Sequence, residues 1–122
     1  MTLRMTGMLA AIVLSANTSL ASEAISQHGG RVTDAGDYHV ELVVKSSAVE
    51  VHLSDHNNKA IKTAGFKGLA ILVADGKSQR VALTPAGDSS LSGKAEMALP
   101  TAPKGVVQIT LPNGKAVQAR FN

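Results

Sequence analysis

Cysteine is absent from the 122-residue sequence, so no disulfide framework and no thiolate metal site is open to it. Tryptophan is absent too, and one tyrosine and two phenylalanines are the whole aromatic set. The charges are scattered singly, with no basic run. The basic stripe and stacking side chains that nucleic-acid binding needs are therefore missing, and a pI near 9.5 reflects only a small excess of cations. No nucleophile elbow and no His-Glu-x-x-His segment occurs. Gly29-Gly30 lacks the strand, spacing and lysine of a phosphate loop. A non-catalytic protein is expected.

The first 21 residues read as a signal peptide. Met1 to Arg4 is a short basic start, Met8 to Leu14 an apolar core, and Ser19-Leu20-Ala21 a small-x-small cleavage site. The apolar run is too short to span a hydrocarbon core of about 30 Å, so no membrane insertion is expected after cleavage near Ala21. Residues 22–122 then form one small domain in the periplasm. Without disulfides, that domain relies on packing and sheet hydrogen bonds.

Within it, short runs of period-two alternation dominate. Tyr38 to Lys45 puts Val40, Leu42 and Val44 on one face and His39 and Glu41 on the other. Ala48 to Ser54 repeats the pattern, with Val49, Val51 and Leu53 inward and Glu50 and His52 outward. The residues around Ser46-Ser47 connect the two as a hairpin. Turn signals at Asp55 to Lys59, Asp75-Gly76, Pro85 to Gly87 and Pro112 to Gly114 punctuate the rest. A short strand near Ala60 to Thr63 and an element over Leu91 to Leu99, with Ala95, Met97 and Leu99 facing in, complete the set. Seven or eight short strands with regular turns predict an all-β fold, an antiparallel immunoglobulin-like β-sandwich. A small closed barrel is the alternative.

All four histidines, His28, His39, His52 and His56, fall between residues 28 and 56. His39 and Glu41 share one strand face. If His39 and His52 pair across the hairpin, or nearly so, two imidazoles and a carboxylate lie within reach of one ion. The Gly29-Gly30 pair would let His28 approach, and His56 sits in the next turn. Such donors suit copper(II), zinc or nickel, and not calcium. The competing reading is ordinary: imidazoles on a solvent face, and Glu41 a surface ion-pair partner worth well under about 1 kcal/mol.

The segments His28-Gly29-Gly30, Ala35 to Leu42, Val49 to Asp55 and Lys59 to Gly65 resemble a small periplasmic β-domain. It occurs free, and fused near the start of adaptor subunits of heavy-metal efflux pumps. The likeness extends loosely to the C-terminus through Gly76, Leu83 and Pro85. It implies metal handling beside an efflux or resistance system, with an efflux-pump adaptor as partner and His28, His39 and Glu41 at the matching positions. Asn58-Lys59-Ala60 departs from the Gly-Lys-Pro of that pattern. His52 stands where a tyrosine or another residue is common.

Two functions are thus expected from the sequence. The first is binding of a divalent transition metal through His28, His39, Glu41 and His52, for buffering or delivery. The alternative is a non-catalytic protein-interaction module that joins an efflux or envelope complex through an exposed strand edge.

Overall fold

The structure is a computed structural model and describes residues 25–122. The expected signal peptide and its cleavage site lie outside the described residues. No helix of the described residues is long and apolar enough to cross a membrane.

Eight strands follow one another: β1 (Arg31–Ala35), β2 (Tyr38–Lys45), β3 (Ala48–Ser54), β4 (Lys67–Ala74), β5 (Lys77–Ala86), β6 (Ser90–Lys94), β7 (Lys104–Thr110) and β8 (Ala116–Phe121). Every pairing is antiparallel, in the order β1-β2-β3-β6-β5-β4-β7-β8.

This is one sheet that nearly closes into a barrel, which corrects the immunoglobulin-like sandwich expected from the strand pattern. The ten-residue β5 makes the difference. Its Gly68-facing half pairs with β4 from Lys77 to Leu83, and its last three residues, Thr84 to Ala86, pair with β6. One bent strand therefore joins what would otherwise be two sheets. The edges β1 and β8 then meet without a hydrogen-bonded ladder. Val117 packs on Gly36 at one end of this seam. At the other end the Arg31 guanidinium donates to the carbonyls of Pro103 and Asn122, and lies 5.6 Å from the Phe121 ring centroid.

The interior follows from the alternation. Val40, Leu42, Val49, Val51, Leu53, Ala70, Leu72, Val81, Leu83, Leu91, Val107, Ile109, Ala119 and Phe121 are buried together in one core. Ser46, at φ 57°, makes the two-residue turn between Lys45 and Ala48, and so fixes the register of the β2–β3 hairpin. Two further expectations change. Ala60 to Thr63 forms only an isolated bridge, Ser54 to Ala60. The element over Leu91 to Leu99 ends as a strand at Lys94, after which Ala95 and Leu99 point inward but Met97 is exposed.

Candidate functional site

The outer face of β2 is unusual because it is also buried: His39, Glu41 and Val43 are all nearly inaccessible. The cover over Glu41 is the segment that precedes β1, residues 26–30. Glu41 Oε2 accepts hydrogen bonds from the Ser26 hydroxyl (2.9 Å), the His28 amide (3.0 Å) and the Gly30 amide (2.8 Å). Glu41 Oε1 accepts from the Gln27 amide (3.2 Å) and from His28 Nδ1 (2.9 Å). Three backbone N–H groups thus converge on one carboxylate, as in an anion nest.

Burial by itself would raise the Glu41 pKa. The hydrogen bonds from the His28 ring, the Gly30 and His28 amides and the Ser26 hydroxyl outweigh it, and hold the carboxyl at about 2 against its usual 4.5. The glycines make the wrap possible. A Cβ on Gly30 would stand 2.4 Å from the Leu42 carbonyl oxygen and 2.8 Å from Val43, while Gly29 turns the chain at φ +76°. The His-Gly-Gly segment and Glu41 therefore form a latch that folds the start of the domain back onto its sheet.

His52 sits directly across the hairpin from Glu41, and His39 opposes Ser54. The His28 and His52 rings stack, with centroids 3.6 Å apart and planes within 8°. His52 Nε2 is buried and has no hydrogen bond; Glu50 Oε2 lies 3.4 Å away, at ion-pair range only. Burial and then the neighbouring His28 lower the His52 pKa below 6.5, against the pull of Glu50 and Glu41.

His39 belongs to a separate set. Its Nδ1 donates to Asp34 Oδ1 at 2.6 Å, and its ring meets the His56 ring edge-on at 5.7 Å. His56 Nε2 in turn lies 3.6 Å from Asp37 Oδ1. Of the four expected metal ligands, the fold brings together His28, Glu41 and His52 and turns His39 to other partners.

The donor chemistry does not suit one shared ion. Both Glu41 oxygens are engaged by five donors, His28 Nδ1 is spent on Glu41, and two face-to-face imidazoles direct their in-plane lone pairs side by side, so they do not converge. Among the described residues no group of three or more His, Asp or Glu side chains could hold a metal ion.

A second feature was not visible in the sequence. Only β4 pairs with the Lys77–Leu83 part of β5, and no backbone hydrogen bond reaches its other edge among the described residues. A groove runs along that edge, lined by Lys77, Ser78, Gln79, Arg80, Glu96 and Met97. Gln79 Oε1 accepts the Met97 amide at 3.3 Å across it, and Met97 is 58% exposed. Near Ala82 the edge is closed by Gly93, where an added Cβ would strike the Ala82 carbonyl oxygen. The open stretch is Lys77 to Val81. Comparison with family models, with curated proteins and with solved structures finds no match.

Proposed function

We propose that this chain is an exported, non-catalytic interaction module, and that it takes an extended segment of an envelope or efflux partner along the open edge of β5. The observation that carries this reading is the unpaired Lys77 to Val81 edge facing a groove. Unpaired N–H and C=O groups on a strand edge are a template for another strand, and alternate side chains of the added strand would fall into the groove. The β1 and β8 edges are poorer candidates, because they face each other and are tied by Arg31.

Magnitudes favour a transient complex. A few ladder bonds at about 1 kcal/mol net each do little more than meet an association cost of roughly 4 kcal/mol or more. Contact with Met97 and the Lys77 and Arg80 side chains has to supply the rest, which points to a segment with an apolar and an acidic residue.

Photo-crosslinking in the native host tests this. A photoreactive residue at Ser78 or Met97 is expected to give one discrete adduct, and the same probe at Asn113, in the far turn, to give none. No adduct from either groove position, or equal yields from all three, sinks the reading.

A further inference from the structure

We infer that the outer face of β5, β4, β7 and β8 is a second docking surface, built for an acidic amphipathic helix of a partner protein. It goes beyond the strand-edge reading and uses a different face of the sheet, whose docking residues share only Arg80 with the groove.

The four strands contain Lys67, Lys77, Arg80, Lys104 and Arg120 and no Asp or Glu. Register places Arg80, Ile71, Val106 and Arg120 side by side across the sheet, all on the outer face. Along β4 the same face carries Leu69, Ile71 and Val73, with Val73 39% exposed and the other two half-buried. Lys104 opposes Val73 at one end.

The result is an apolar row flanked by cations on both sides. Arg80 and Arg120 are three strand spacings apart, about 14 Å at the usual ~4.8 Å per strand. A helix with side chains is ~10–12 Å across and fits between them. Leu69, Ile71 and Val73 repeat at about 6.7 Å along the strand, close to the ~6 Å between helix residues four apart. A helix lying on β4 and β7 would place its apolar stripe on this row and present carboxylates to Arg80 on one flank and to Lys104 and Arg120 on the other. Charge complementarity selects the acidic helix, since a basic one would meet the four cations of this face, Lys67, Arg80, Lys104 and Arg120.

A displayed library of random 16-residue peptides, selected on the purified chain, tests this. Enriched sequences should carry apolar residues at helical spacing with Asp or Glu on both flanks. They should perturb the amide NMR signals of Leu69, Ile71 and Val106, and lose at least tenfold in affinity for Lys104→Glu/Arg120→Glu. Lys104→Arg/Arg120→Lys should bind as the parent does. Both variants change exposed side chains outside the β5 groove, so loss of strand-edge binding is a separate outcome. The inference is overturned if no acidic helix is enriched, if the only peptides found alternate as strands and map to Lys77 to Val81, or if the charge reversal leaves binding intact. It is equally overturned if the chain sediments with phosphatidylglycerol vesicles through this face while no helical peptide binds.

Discussion

Glu41 and His52 face each other across the β2–β3 hairpin, and His28 from the folded-back N-terminal segment touches both, bonded to one and stacked on the other. This three-residue contact holds residues 26–30 on the sheet, and its chemistry makes the latch sensitive to acid.

Glu41→Gln should release the segment. The substitution removes the charge on which five donors converge and leaves some of them buried without a partner. The cost expected is about 2–3 kcal/mol by urea unfolding, with new protease cleavage near Gly29. An unchanged midpoint and an uncut segment would show that the latch contributes nothing.

The two glycines should respond differently. Gly30→Ala drives a methyl into the Leu42 carbonyl and cannot be accommodated without moving the strand, so a loss of about 2 kcal/mol or more is expected. Gly29→Ala meets open space and bears only the strain of φ +76°, about 1 kcal/mol. Denaturant titration of both variants gives the order, and the reverse order would refute the wrapped geometry.

Stability should fall in two steps on acidification. The His52 pKa is lowered in the folded chain, so its contribution is complete above 6.5 and is lost as pH falls through the folded value. Glu41 drops from 4.5 to about 2, so its contribution, about 3 kcal/mol, is complete above 4.5 and is lost as pH falls toward 2. Unfolding midpoints between pH 8 and pH 2 should show both declines. His52→Gln should remove the upper decline only, whereas Glu41→Gln, which also frees His28 from His52, should remove the lower decline and shrink the upper one.

Metal ions should not stabilise the fold. A ligand that binds only the native state raises its melting temperature. Copper(II), zinc or nickel at micromolar concentration is expected to leave the melting temperature where it was, because the Glu41 oxygens and His28 Nδ1 already hold each other. A rise abolished by His28→Ala would restore the metal reading.

Much of this fold was legible in the alternation. Val40, Leu42 and Val44 against Val49, Val51 and Leu53 pack inward as the pattern predicts. The closure was not legible, because a sandwich and a barrel bury the same face of each strand; the bend that lets Pro85 and Ala86 leave β4 for β6 has no period of its own. At the candidate site, the sequence marked His28, His39, Glu41 and His52 as neighbours, of which the fold gathers all but His39. It did not reveal that the Gln27, His28 and Gly30 amides would take the carboxylate first, since backbone donors leave no signature in residue type. His39 was expected on the solvent face; Asp34 and the His56 ring cover it there.

Proline at the open edge of β5 is the sharpest probe of partner binding. Ser78 and Gln79 are adjacent, so their N–H groups point to opposite sides of the strand, one toward β4 and one toward the groove. Crosslinking from position 97 should lose its adduct in whichever of Ser78→Pro and Gln79→Pro faces the groove, with the unfolding midpoint of that variant close to the parent's. An adduct that survives in both variants, each of them folded, would mean that no partner strand pairs with this edge.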